Sequence, residues 1–495
     1  MGRLIGELAH GTGVRHRATG ALGRRSDAFL RNTTLGLPPI DFRHGVAEAR
    51  SSDCARQTLC LTDIKWEVTL PAVNMEFVNR QAELRELDAA GKHGGLLVVY
   101  GRRRVGKTRL LRHWLAARNG FYSQAIEAQR DMQIQQVFAD LGPQLDTQLI
   151  PRSWPELFEI LTLQKRRWAL CLDEFPYLTA VDASLPSQLQ KWLDHSLPRG
   201  CLLIVAGSST RMMHDLFLHR AAPLYGRARK LLQIQPMDYR AFCDACGLRP
   251  GDPDSFEQFA CVGGIPKYWE FVEAGQDALA LAESLYFDYA PYMEQEPQRI
   301  LRDEGVVGLN AAAVLEAVGR GAERPSEIAG RLGTAQTNLS RLLHQLLDAS
   351  ILTRELPFGE SVRSTKRILY RIEDPTMRFW FRVFSPHQSR WRTYTATEKR
   401  ALVHEHAATV FEDVCRALHP GAQRYWEGDI ELDLVAPDPD DPERLLVAEV
   451  KWRRLSAAER KKVLRDLEIK WSRCSLRAHH PNVRFDVFDA RILAR

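Results

Sequence analysis

The segment Gly101-Arg102-Arg103-Arg104-Val105-Gly106-Lys107-Thr108 meets every position of the phosphate-binding pattern GxxxxGK[ST], and it constrains the fold more than any other stretch of the chain. Its glycines let successive backbone N–H groups curl around phosphates, Lys107 brings charge to the β and γ groups, and Thr108 is placed to hold Mg2+. Such a loop needs a buried strand to deliver it and a helix to continue from it. The flanks agree: Leu96-Leu97-Val98-Val99-Tyr100 reads as a buried parallel strand, and Thr108 to Ala117 carries apolar residues at helical spacing. All eight residues, Gly101 to Thr108, are expected to contact a nucleoside triphosphate with Mg2+.

From Phe77 onward, apolar strand candidates alternate with helical segments, which is the pattern of a doubly wound α/β domain. The strands are read at Leu96 to Tyr100, near Gly120 to Ser123, at Trp168 to Leu172 and at Leu202 to Ala206. The third ends in Asp173-Glu174, a Walker B arrangement in which Asp173 holds the Mg2+ shell and Glu174 orients the attacking water. The fourth opens into Gly207-Ser208-Ser209-Thr210, where Ser208 is a candidate γ-phosphate sensor, although turn chemistry alone also favours Gly and Ser there. Arg227, in Pro223-Leu224-Tyr225-Gly226-Arg227, is a candidate to reach a γ-phosphate in cis or from a neighbouring subunit; a surface arginine is the plainer alternative.

Taken together, Phe77-Val78-Asn79-Arg80, the phosphate loop, Leu172-Asp173-Glu174-Phe175, Ala206-Gly207-Ser208-Ser209, Leu224-Tyr225-Gly226-Arg227 and Gly263-Gly264-Ile265-Pro266 resemble the prokaryotic, archaeal-type DEXX-box ATPases of the STAND class of P-loop NTPases. The resemblance covers most of residues 77 to 375. It implies an ATP-gated, ATP-hydrolysing switch with a helical lid, in which Pro266 touches the nucleotide, and it leaves room for a homo-oligomer or a partner protein.

After about Pro236 the strand pattern gives way to amphipathic helices. Pro325 to Gly333 followed by Thr337 to Leu347 has the spacing of helix, turn and helix, and Ile351 to Leu356 and Arg367 to Ile372 read as two strands around a Pro/Gly turn, a winged-helix arrangement. Leu339, Leu342, Leu343, Leu346 and Leu347 are its core. Thr337, Asn338, Ser340, Arg341 and His344 would face a major groove, and Arg363, Lys366 and Arg367 would meet phosphates. Between Arg320 and Arg400 there are 15 Lys or Arg against 8 Asp or Glu, a surplus of seven that exceeds the +6 of the whole chain and makes DNA the expected partner. The same fold also serves for protein contacts, and a merely solvated basic surface would carry the same charge.

Near the C-terminus, Ile430 to Ala436 and Leu445 to Trp452 form a predicted hairpin bearing Asp433, Glu449 and Lys451. Residues two apart on a strand share a face, so Glu449 and Lys451 point together and antiparallel pairing brings Asp433 alongside. Such a set can bind Mg2+ through Asp433 and Glu449 and prepare a water for attack on a phosphodiester. A salt-bridged surface hairpin is the alternative. The D…ExK set resembles the restriction-endonuclease-like superfamily, as found in the C-terminal domain of unknown function that accompanies these ATPases. That resemblance adds Glu412, on a helix expected at Thr409 to Leu418, as a further acid.

The expected fold is therefore α/β: a P-loop NTPase core (75–235), a helical lid (236–304), a winged helix (305–375), a linker (376–400) and a nuclease-like α/β domain (401–495). Residues 1–74 lack apolar periodicity and an apolar signal region, and are read as a disordered extension, with Met75 a candidate start. Nine scattered cysteines suit a reducing cytoplasm, and Cys243 and Cys246, a lone CxxC, are read as helix packing rather than zinc ligands. No stretch is long and apolar enough to span a membrane. An adaptor that binds nucleotide and DNA but cuts nothing fits the same residues.

Overall fold

Five consecutive residues, Leu96 to Tyr100, are buried, and a strand buried on both faces belongs inside a sheet covered on both sides. In a computed structural model describing residues 77–494 apart from 119, 146, 307 and 364 and the side chain of 309, that is where it lies. The 1–74 extension and Met75 fall outside these residues. Strands β1 (Gly95–Tyr100), β2 (Phe121–Gln124), β3 (Ala169–Asp173), β4 (Leu202–Gly207) and β5 (Ala228–Gln233) form a parallel sheet in the order β2-β3-β4-β1-β5. Because all five run the same way, the phosphate loop, Asp173-Glu174 and Ser208 leave their strands at one edge, where ligands bind in such sheets. The four expected strands are present. The fifth, β5, is an edge strand with Arg229 and Lys230 exposed, so it carries no apolar run to betray it.

Residues 236–304 are helical. Asp238, Asp252 and Asp277 start the helices Tyr239–Cys246, Pro253–Val262 and Ala278–Ala282 by accepting from the N–H groups of Ala241 (2.8 Å), Asp254 (3.2 Å) and Ala280 (2.8 Å). Cys243 and Cys246 lie in the first of these, and the seven cysteines among the described residues are free thiols. At Gly263-Gly264 the chain needs glycine: Gly263 has φ +61°, and a Cβ on Gly264 would overlap the Met237 carbonyl.

Helices Leu309–Gly319, Pro325–Arg331 and Gln336–Asp348 follow, then an antiparallel pair, β6 (Leu352–Glu355) and β7 (Leu369–Ile372). Leu339, Leu343 and Leu346 are buried against Val314, Leu315 and Ile328, with Leu342 and Leu347 partly buried beside them.

Residues 376–400, expected as a linker, are instead helical and packed into the interior. Phe379, Phe381, Val383, Phe384 and Trp391 are all buried, with Phe379 and Phe384 against Tyr286. The helix expected at Thr409 to Leu418 spans Ala396–Ala417, begun by a capping box in which Thr395 Oγ1 accepts from Glu398 N and the Glu398 carboxylate accepts from Thr395 N. Its polar N-terminal half hides the apolar period, which is why the sequence pattern shows only the end of it. Strands β8 (Gln423–Glu427), β9 (Ile430–Asp438), β10 (Asp441–Lys451) and β11 (Val483–Asp489) form a second sheet in the order β11-β10-β9-β8, with β10 antiparallel to β9 and parallel to β11. One hydrophobic core runs from Leu97 and Leu110 through Phe256 and Tyr286 to Phe411, Leu434 and Trp452. No helix among the described residues is long and apolar enough to cross a membrane.

Candidate functional site

The phosphate loop closes onto the helix Lys107–Ala116, which Gly106 begins at φ +98°, a conformation costly for any residue with a Cβ. Arg104 (φ +68°) and Glu174 (φ +54°) take left-handed backbone without being glycine, and both lie at this site. Lys107 is buried, and its Nζ donates to the carbonyls of Gly101 (2.8 Å) and Arg102 (3.0 Å). Burial pushes the Lys107 pKa down, with Glu174 and Asp173 opposing the shift. Thr108 Oγ1 donates to Asp173 Oδ2 at 2.6 Å, and the Tyr122 hydroxyl donates to the same oxygen at 2.8 Å. Burial, reinforced by Asp173, pushes the Tyr122 phenol far up, so it stays a donor. Ser208 holds Glu174 from both sides, its hydroxyl donating to Oε1 and its N–H to Oε2 at 3.2 Å.

Lys107, Thr108, Glu174 and Ser208 line a cavity of about 800 Å3, together with Arg103, Arg104, Pro266 and Lys267. That volume suits a nucleotide. The Pro266 ring lies over Gly106, 4.0 Å from where a Cβ would stand. The loop, Asp173, Glu174, Ser208 and Pro266 are thus brought together.

Arg227 is not with them. It leads into β5, where Ala228 pairs with Leu96, so it stands at the edge where the strands begin, roughly 13 Å of strand away from Tyr100 and the loop. Its guanidinium is held by Asp194 at 3.0 Å and the Tyr225 carbonyl at 3.2 Å. The parallel sheet therefore corrects the expectation that Arg227 reaches the γ-phosphate in cis.

Two contributors had no role assigned from sequence. Arg80, nearly fully buried, donates to the carbonyls of Val105 and Gln235, both at 2.8 Å, and so braces the loop from behind. Glu304, also buried, accepts at the N-terminus of the helix Thr210–Phe217 from Ser209 Oγ (3.2 Å) and from the N–H groups of Thr210 and Arg211 (both 3.4 Å). Burial raises its pKa and those N–H groups oppose the rise. Arg80 was visible only as part of Phe77-Val78-Asn79-Arg80, and Glu304 carried no sequence signal.

In the second sheet, the ladder between β9 and β10 ends at the Leu434–Ala448 pair, and the acids sit just beyond it. Asp433 Oδ2 accepts from Val450 N (2.9 Å) and lies 3.5 Å from Lys451 Nζ, which donates to Glu449 Oε1 at 2.8 Å. Asp433, Glu449 and Lys451 therefore converge as expected from strand geometry. Lys470, on the helix Ala457–Ser472, adds a second ammonium, donating to both Glu449 oxygens at 3.1 and 3.0 Å. Burial first, then the Glu449 charge, raises the Asp433 pKa. Burial, followed by Asp433, pushes Glu412 up to about 7, against Arg416. Among the described residues, no group of three or more His, Cys, Asp or Glu side chains is set to hold a metal ion.

Thr337, Asn338, Ser340, Arg341 and His344 are exposed along one helix, and Arg363 and Lys366 are exposed in the β6–β7 loop. Arg367 differs from expectation: it pairs with Glu360 and donates to the Trp426 carbonyl at 2.7 Å, while Phe358 N donates to the Arg424 carbonyl at 2.8 Å. That loop is docked on the second sheet, so the Arg367 guanidinium is engaged by Glu360 and Trp426, although its side chain remains 38% exposed. Part of the basic surplus is likewise used internally, since buried Arg371 and Arg378 pair with Asp413 at 3.0 and 2.6 Å.

Residues 77–272 match a family described as an ATPase domain predominantly from Archaea. The chain carries an ATPase domain. Residues 380–463 match a second family, described as archaeal and bacterial proteins of unknown function. An uncharacterized protein of Methanocaldococcus jannaschii is 27% identical over 419 residues, covering 79% of this chain and 91% of its own. Among solved structures, a Walker-type ATPase of Pyrococcus abyssi is 21% identical with TM-score 0.49, covering 62% of this chain and 96% of its own. An Orc1 protein of Aeropyrum pernix in complex with DNA is 15% identical with TM-score 0.28, covering 66% and 97%. A STAND protein of Pyrococcus horikoshii with a tetratricopeptide repeat sensor is 12% identical with TM-score 0.29, covering 70% and 50%.

Proposed function

We propose that this ATPase is a Mg2+-dependent switch of the archaeal-type DEXX-box STAND kind, which couples ATP hydrolysis to a winged helix and a metal-dependent nuclease-like domain acting on DNA. Thr108 and Asp173 would hold Mg2+; their 2.6 Å contact at the base of the cavity is the donor pair such an ion needs. When bound, Mg2+ would supply positive charge that offsets the charge on the phosphates. Glu174 orients the attacking water, Ser208 fixes Glu174, and Pro266 carries the state of the site into the helical lid, residues 236–304. The helix Gln336–Asp348 offers Thr337, Asn338, Ser340, Arg341 and His344 to a major groove, with Arg363 and Lys366 toward phosphates.

The observation that carries the nuclease part is the convergence of Asp433, Glu449 and Lys451 where β9 and β10 part. Asp433 and Glu449 would hold the cation, with Glu412 behind them. The test is purified protein with plasmid, linear and single-stranded DNA, in Mg2+ or Mn2+, with and without ATP. Metal-dependent cleavage that Asp433→Ala abolishes is expected. Cleavage that survives Asp433→Ala removes the nuclease, ATP turnover unchanged in Lys107→Ala removes the nucleotide site, and failure to bind any DNA even at low salt removes the winged helix. A second reading, an adaptor that binds DNA and cuts nothing, is favoured by Lys451 and Lys470 both donating to Glu449, which sets ammonium groups where a cation would sit. Binding without cleavage under every condition would select it.

A further inference from the structure

The three arginines inside the phosphate loop are held in three different ways. Arg102 pairs with Asp374 at 2.7 Å, and both side chains are nearly removed from solvent, at 11% and 1% exposure. Arg104 pairs with Glu296, which also accepts from the Tyr268 hydroxyl at 2.8 Å, and its guanidinium lies 5.4 Å from the centre of the Tyr292 ring. Both are fixed: releasing Arg102 would leave Asp374 buried without a cation, and releasing Arg104 would leave Glu296 with only Tyr268 and Arg299 at 4.0 Å. Arg103 is different. Among the described residues, its one carboxylate partner is Asp303, at 2.5 Å, and the two side chains are 53% and 28% exposed. A solvent-exposed pair of that kind is easily exchanged.

Arg103 also faces the right place. It lines the nucleotide cavity with Lys107, Glu174 and Ser208. A guanidinium gains more from two charge-assisted bonds to phosphoryl oxygens than from one exposed carboxylate.

We propose that Arg103 leaves Asp303 for the γ-phosphoryl group only as that group transfers, and is the arginine that stabilises it there, acting in cis from within the loop. In that step the water oxygen bonds to the γ-phosphorus while the bond to the β–γ bridging oxygen breaks, and the electron pair leaves on ADP. The water proton passes by way of Glu174 to the released phosphate or to solvent. Arg103 forms no covalent bond; it offsets charge on the γ-phosphoryl oxygens, the part that Arg227 cannot play in cis from the far edge of the sheet.

The inference rests on the nucleotide site proposed above. Its test uses the full chain: steady-state ATP turnover with Mg2+, binding of a fluorescent non-hydrolysable ATP analogue, and trapping of ADP with aluminium fluoride. Arg103→Ala is expected to lower kcat at least about a hundredfold, since a catalytic arginine contributes on the order of 10³ to 10⁵. Analogue affinity should stay within about threefold and the aluminium fluoride complex should be lost, because the contact forms in the transition state. Arg103→Gln, which keeps most of the bulk, should behave the same way. Asp303→Asn breaks the same ion pair but leaves the arginine, and should turn over ATP at or above the parent rate. Parent-like kcat in Arg103→Ala overturns the inference alone. An equal loss in Asp303→Asn also overturns it, because the ion pair itself would then be what matters. A parent with no turnover overturns the nucleotide site and this inference together.

Discussion

Arg102 and Arg103 are neighbours in sequence, yet removing them should have very different consequences for stability. Arg102→Ala leaves Asp374 buried and unpaired, and Asp374 also caps the helix Pro375–Phe379 by accepting from Met377 N at 2.8 Å. A cost of about 3–5 kcal/mol is expected, against at most about 1 kcal/mol for Arg103→Ala, and urea unfolding midpoints will show whether the two differ so. At the same site, Glu174→Gln should keep nucleotide affinity and lose turnover, since its amide oxygen can still accept from Ser208 N–H while the charge that polarises water is gone; equilibrium binding and phosphate release measured side by side would separate the two effects. Lys107, Thr108, Asp173 and Glu174 were legible in the sequence because their chemistry dictates residue type at fixed spacing. Glu304 and Lys470 were not, and neither was the bracing role of Arg80, since each acts through a partner far away in the chain.

At the scale of elements, strands buried on both faces announced themselves and the edge strand β5 did not. The helix Ala396–Ala417 was legible only at its end, and it carries His406, fully buried, with Nε2 2.8 Å from the Ala260 carbonyl. Burial holds this imidazole neutral, with its pKa down at about 3. The unfolded chain takes up a proton below about 6.5 and the folded one does not, so the contribution of His406 to stability is complete above that pH and is lost as pH falls toward the folded value. Between about pH 6.5 and 5, the parent should lose up to about 1.4 kcal/mol per pH unit relative to His406→Gln. Denaturant titrations of both proteins at pH 7 and pH 5 measure this, and parallel pH dependences would refute it. A second element, the Gly263-Gly264 break, places Pro266 over the loop. Gly264→Ala forces a Cβ into the Met237 carbonyl and should lower both melting temperature and ATP affinity, visible by calorimetry with and without nucleotide.

At the scale of the molecule, the five regions marked out in the sequence from Phe77 onward are joined more tightly than that division suggests. Trp452 of the second sheet packs on Phe256, ring centres 4.5 Å apart, and its Nε1 donates to Glu257 at 3.1 Å, so the helix Pro253–Val262 serves both halves. A shared interior should unfold as one unit: Trp452→Ala is expected to lower a single thermal transition by several degrees, whereas two resolved transitions would show the halves to be independent. Composition could not reveal this, because residues 376–400 look like a connector until their aromatics are seen packed inside. The Arg102–Asp374 pair carries a last consequence, for synthesis rather than for the finished protein. Translation proceeds from the N-terminus at about 5–20 residues per second, so Asp374 follows Arg102 by roughly 15 to 55 s. Throughout that interval the nascent phosphate loop lacks its innermost brace, and it acquires one only when about three quarters of the chain has been made.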